Sequence, residues 1–74
     1  MIITYMTYGA ELQLTTLLLR LGFKYGRDFV RSPTQQGDVW GTTTITAALT
    51  GEERRAIQLF AATAYGVTIR EESA

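Results

Sequence analysis

Leucine recurs at positions 14, 17, 18 and 21, the i, i+3, i+4, i+7 spacing that lines one face of an α-helix, and Ala10 falls on the same face. Residues 10–21 (AELQLTTLLLRL) are therefore expected to form an amphipathic helix with this stripe turned inward. Its opposite face is uncharged. Leu12 and Leu19 sit there with Thr15 and Thr16, while Glu11, Gln13 and Arg20 lie on the flanks. A helix that is apolar on its core face and uncharged on its outer face predicts a covering on both sides.

Strand patterns flank this helix. Residues 2–7 are β-branched and aromatic in rough alternation, which predicts strand 1, with Ile3 and Tyr5 on one face and Ile2, Thr4 and Met6 on the other. Thr7 suits the N-cap, Glu11 the positive end of the helix dipole, and Gly22 the C′ position. Phe23 and Tyr25 follow as apolar anchors. Residues 28–32 predict strand 2, residues 33–38 a loop holding the single proline, and residues 39–47 strand 3. Gly41 inside that strand signals a bulge or a close backbone approach. Thr50 and Glu53 form a capping-box pair, so a second helix starts at Gly51. Ile57, Phe60, Ala61 and Ala64 make its buried face, with Leu59 as the exposed apolar exception. Gly66 ends it, residues 67–70 alternate as strand 4, and residues 71–74 read as a frayed tail.

The element order β-α-β-β-α-β predicts one α+β domain over residues 1–74. The expected architecture is a ferredoxin-like two-layer sandwich, two helices on one face of a four-stranded antiparallel sheet. The alternative is a shorter αβ sandwich in which the last strand is absent or strand 2 begins at Phe23.

Composition then narrows the chemistry. A 74-residue chain has room for one modest core. Domains of this size bury roughly 60–65% of their unfolded surface. There is neither cysteine nor histidine, which removes disulfides, thiolate and imidazole metal sites and the commonest general base. The adjacent acids Glu52/Glu53 and Glu71/Glu72 do not converge on a substrate, because neighbours on a helix point about 100° apart. The threonines lack a base to activate them, and the glycines form no phosphate-binding pattern. The expectation is a non-catalytic protein without cofactor or metal. The first residues lack the cationic and apolar segments of a signal peptide, and no apolar run spans a membrane, so a cytoplasmic protein is expected.

The opening strand with the Leu-rich helix ending Leu21-Gly-Phe-Lys-Tyr25 resembles the β-α-β start of glutaredoxin-like redoxins over the first third of the chain. In that family a Cys-x-x-Cys precedes the helix. Here Glu11-Leu-Gln-Leu14 stands at that place, so the redox activity does not carry over.

Seven basic and seven acidic residues cancel, which disfavours binding driven by counterion release and weakens repulsion between copies. A single-stranded RNA module remains an alternative, with bases stacked on the open sheet face. If Ile3 and Tyr5 face the helices, that face keeps only Trp40; if Ile2 and Met6 do, Tyr5 and Trp40 stand side by side on it. Trp40, Thr42, Thr44 and Thr46 form the outer row of strand 3 in this scheme, with Arg31 and Arg70 as flanks and Lys24 and Arg27 in the main basic cluster. The leading expectation is a protein that binds and modulates a larger protein complex. Its contact residues are Leu12, Thr15, Thr16 and Leu19 on the helix and Trp40, Thr42 and Thr44 on the sheet. In size and neutrality it resembles phage-encoded inhibitors of host machinery such as anti-CRISPR proteins, which would place it in a host cytoplasm. A homodimer closed by the same surfaces is the other alternative.

Overall fold

Six elements follow the predicted order: β1 (Ile2–Tyr5), α1 (Tyr8–Arg20), β2 (Phe29–Gln36), β3 (Val39–Ile45), α2 (Gly51–Thr63) and β4 (Val67–Arg70). They come from a computed structural model that describes residues 1–36 and 39–71. The four strands form one antiparallel sheet in the order β2-β3-β1-β4. Two helices lie on one face, which makes the chain a ferredoxin-like α+β sandwich with all four strands present.

Local chemistry explains the helix limits. The Thr7 Oγ1 accepts the Ala10 N–H at 3.1 Å, so α1 starts at Tyr8, two residues before the expected Ala10. Leu21 closes it by donating its N–H to the Leu17 carbonyl at 3.0 Å, and Gly22 follows at φ +93, a conformation that costs glycine nothing. At α2 the capping box is complete: Glu53 N–H donates to the Thr50 Oγ1, and Thr50 N–H donates to the Glu53 Oε1.

The core lies between the layers. Ile3, Tyr5, Ala10, Leu14, Leu18, Phe29, Ile45 and Ile57 form a single buried cluster. Ile3 and Tyr5 therefore face the helices, which resolves the alternative left open above. Strand register sets the rows on the helix side: Arg31–Thr43–Ile3–Ile69 and Pro33–Gly41–Tyr5–Val67. The open side carries Val30–Thr44–Ile2–Arg70 and Ser32–Thr42–Thr4–Thr68. Gly41 is needed where it stands. A Cβ there would come within 3.0 Å of the Ser32 carbonyl oxygen and 3.4 Å of the Tyr5 ring. The Tyr5 ring covers the glycine and its phenol shares a 3.0 Å hydrogen bond with the Thr43 Oγ1, so two buried polar groups satisfy each other. Burial holds the phenol above its usual pKa, with the Thr43 bond opposing the rise.

Several strand limits differ from the sequence reading. β1 ends at Tyr5 because Thr7 is consumed as the helix cap. β2 starts at Phe29 and runs on through Pro33, which was expected in a loop. Proline is tolerated because β2 is an edge strand with a partner on one side only. β3 stops at Ile45, since the amides of Thr46 and Ala47 both turn to the Asp28 carbonyl and leave the ladder. Of the expected tail, Glu71 forms an ion pair with Arg54 of α2, and residues 72–74 lie outside the described residues, as do loop positions 37 and 38.

Asp28 ties down the segment between α1 and β2. Its carboxylate accepts the Arg27 Nη2 and the Lys24 N–H, each at 2.8 Å. The hydrogen bonds from Arg27, first, and then from Lys24 hold its pKa below the ordinary carboxylate value. A depressed folded pKa contributes stability that is complete above the unfolded value and is lost as pH falls through the folded one. On acidification the Lys24 amide resonance is thus expected to stay fixed until below about pH 4 and then move as the tie is lost. A shift already complete at pH 5 would contradict the assignment.

Candidate protein-binding surface

The outer face of α1 holds the largest exposed apolar side chains that share one helical stripe. Leu12 and Leu19 retain 45% and 54% of their surface in solvent, seven residues apart. Leu14 and Leu18, on the opposite side of the same helix, are fully buried. Thr16 lies between the exposed leucines, and its hydroxyl donates to the Leu12 carbonyl at 2.9 Å. With that hydrogen bond made inside the helix, covering Thr16 strands no donor. Leu12, Gln13, Thr16, Leu17 and Arg20 line a shallow groove along this face. Thr15 is half-buried and contributes less than the sequence suggested. On α2, Leu59 is 64% exposed and sits two residues from the fully buried Ile57, about 200° around the helix. It points away from the sheet.

The sheet surface is less apolar than expected, because Trp40 is not on it. Alternation along β3 puts Trp40 beside Thr42 and Thr44. Instead its indole Nε1–H donates to the Glu11 Oε2 at 3.0 Å, and its ring lies 5.8 Å from that of Tyr8. Both partners belong to α1. The cause is in the strand pairing: register shifts between Pro33 and Gln36, opposite the start of β3. Such an irregularity increases twist and re-aims neighbouring side chains, and Gly41 leaves space beside it. Thr42 and Thr44 stay on the open face, half-buried.

Trp40 thereby joins a cluster that links α1 to the sheet edge. The Glu11 carboxylate accepts the Trp40 indole on one oxygen and the Arg31 Nη1, at 3.2 Å, on the other. The Arg31 guanidinium lies over the Tyr25 ring, 5.1 Å from its centroid, and Tyr25 meets Phe29 edge-on at 5.5 Å. Glu11, Tyr25, Arg31, Pro33 and Trp40 line a recess here. Glu11 was read only as a helix-dipole residue. Its partners stand 20 and 29 positions away, and no local pattern marks them.

The residues named for the nucleic-acid alternative are not brought together on one face. Tyr5 is buried beneath the helices, and Arg31 is engaged by Glu11 on the helix side instead of flanking the open face. Arg27 is paired with Asp28. Lys24 is exposed, and Arg70 is the cation that shares the open face, in register with Ile2. The open-face rows contain threonine, serine, isoleucine, valine and arginine, so bases meet no aromatic platform there.

Among the described residues, no three carboxylates converge into a metal site, and no helix is long and apolar enough to cross a membrane. No protein-family model, curated protein or solved structure matches this chain. Fold and surface together define a small α+β sandwich with a leucine-lined helix face turned to solvent.

Proposed function

We propose that this protein is a non-catalytic interaction module that binds a larger protein complex through the outer face of α1 and modulates it. A phage-type inhibitor acting on host machinery is the form of this activity that suits a compact neutral chain. The observation that carries the reading is the solvent-exposed pair Leu12 and Leu19, two turns apart on one stripe of a helix whose inner face is already satisfied, with Leu12 also lining the neighbouring groove. Thr42 and Thr44 on the open sheet offer a second, weaker contact. Trp40 leaves the list of contact residues, since Glu11 and Tyr8 hold it within the chain. The single-stranded RNA alternative loses support with the burial of Tyr5.

The test is the double variant Leu12→Lys/Leu19→Lys. Its stability is expected to change by roughly 1 kcal/mol or less, because both side chains are half in water already. Its association with the larger complex, measured by quantitative affinity capture against wild type, is expected to weaken about 100-fold. Two leucines brought from half exposure to full burial supply roughly 2–3 kcal/mol, and placing lysine there adds a desolvation cost. A variant that folds and is captured as well as wild type would move the contact to the sheet.

A further inference from the structure

We infer that the recess between the start of α1 and the β2 edge is a binding site for a small apolar carboxylate, held side-on by Arg31. The site lies apart from the Leu12/Leu19 stripe and does not depend on the docking reading. The starting point is one donor. The Arg31 Nε–H is buried and has no acceptor among the described residues. Nη1 of the same group donates to the Glu11 Oε1, and Nη2 makes no hydrogen bond among those residues. Glu11 cannot serve the second edge as well, because its other oxygen accepts the Trp40 indole. A buried N–H without an acceptor destabilises the structure that holds it, so each such group needs a cause.

Guanidinium geometry names the acceptor. The Nε–H and one Nη2–H point the same way along one edge of a planar group, a fork that matches the two oxygens of a carboxylate. This chain shows the fork filled at Arg27, whose Nε and Nη2 both donate to the Asp28 carboxylate. At Arg31 the same edge is unsatisfied. Its Nε–H is already shielded from solvent, so an acceptor reaching it gains a hydrogen bond without stripping water from the donor.

The surrounding walls set the rest of the ligand. Glu11, Tyr25, Arg31, Pro33 and Trp40 enclose about 240 Å³. Drug-sized ligands occupy roughly 300–1,000 Å³, whereas a cavity of about 150 Å³ takes benzene. The space therefore suits one six-membered ring on a short acid arm, set among the rings of Tyr25, Pro33 and Trp40. Tyr25 is 55% exposed and is the wall with freedom to shift and admit the acid to the Nε–H. Charge favours a single anion. Counting the recess and the 24–28 segment that Tyr25 belongs to, Lys24, Arg27 and Arg31 outnumber Glu11 and Asp28 by one.

The test is a titration with phenylacetate, followed in proton–nitrogen correlation spectra at about pH 6, where the acid is ionised. Saturable shifts of the Arg31 Nε–H and Trp40 indole N–H resonances are expected, with a dissociation constant of about 1–10 mM for so small a ligand. Phenylacetamide, the neutral analogue, is expected to bind at least tenfold more weakly. Arg31→Lys keeps the charge beside Glu11 and loses the fork, so it is expected to weaken phenylacetate at least tenfold at the Trp40 resonance, with circular dichroism unchanged. An Arg31 Nε–H resonance unmoved at about 30 mM phenylacetate overturns the inference. So does equal binding of the amide, or a folded lysine variant that binds as wild type does. If the lysine variant does not fold, the wild-type comparison of acid and amide decides alone. A short peptide ending in phenylalanine separates the sources of the carboxylate. Binding at least tenfold tighter than phenylacetate assigns the site to chain ends and weaker binding assigns it to free acids, both upholding the inference; equal binding of the peptide amide overturns it.

Discussion

Replacing Leu14 with alanine is expected to cost about 3 kcal/mol and to lower the melting temperature by roughly 12–24 °C. Leu14 is fully buried and belongs to the cluster that joins α1 to Ile3 and Tyr5 of β1 and Ile57 of α2. Truncation removes the transfer free energy of its side chain and leaves a cavity between two layers that cannot collapse fully. A 74-residue domain has a total stability of roughly 4–11 kcal/mol, so this one change removes about a quarter or more of it. Leu12→Ala, two positions away, is expected to stay within about 0.5 kcal/mol of wild type, because half of Leu12 is already in water and alanine favours the helix. Thermal melts of the two variants measure the phase of the helix directly. A Leu14→Ala melt within about 4 °C of wild type would mean that the stripe assigned to the core is not the one that holds the layers together.

The second large effect is expected at Glu11. Removing its carboxylate by Glu11→Ala leaves the Arg31 guanidinium without its ion-pair partner and the Trp40 indole N–H without its acceptor. Hydrogen bonds to charged groups contribute about 1.5–3 kcal/mol, and the part of Arg31 that is in water reduces the ion-pair share. A loss of about 2 kcal/mol, or roughly 8–16 °C in melting temperature, is the expected sum. Glu11→Gln keeps an acceptor for the indole and discards the charge, so it is expected to recover about half of that loss. Trp40 is the only tryptophan, and its emission reports the site without a label. The alanine variant is expected to shift that emission to the red as water reaches the indole. An emission spectrum indifferent to both substitutions would place the indole elsewhere. Because Glu11 lies at the start of the helix that carries the proposed contact face, the same variants also show whether docking needs α1 fixed against the sheet edge.

What the chain alone determined is its element order and most of its helix chemistry. Thr7, Gly22, Thr50 and Glu53 act within a few residues of the backbone groups they satisfy, so they are legible as local spacing. The phase of α1 is legible for the same reason: Leu14 and Leu18 inward and Leu12 and Leu19 outward follow from 3.6 residues per turn. Gly41 announced a close backbone approach, and the Ser32 carbonyl and Tyr5 ring provide it. Which face of β1 turns toward the helices was not legible, since Ile3/Tyr5 and Ile2/Met6 are both apolar pairs at the period of a strand. The burial of Tyr5 depends on Thr43, which is 38 positions away and supplies the partner for its phenol. The place of Trp40 required a register shift in the neighbouring strand and a carboxylate on α1, neither of which a period-2 pattern contains. The tertiary structure decided the destinations of these polar and aromatic side chains, because each is held by a group that only the packed sheet and helix bring within hydrogen-bond reach.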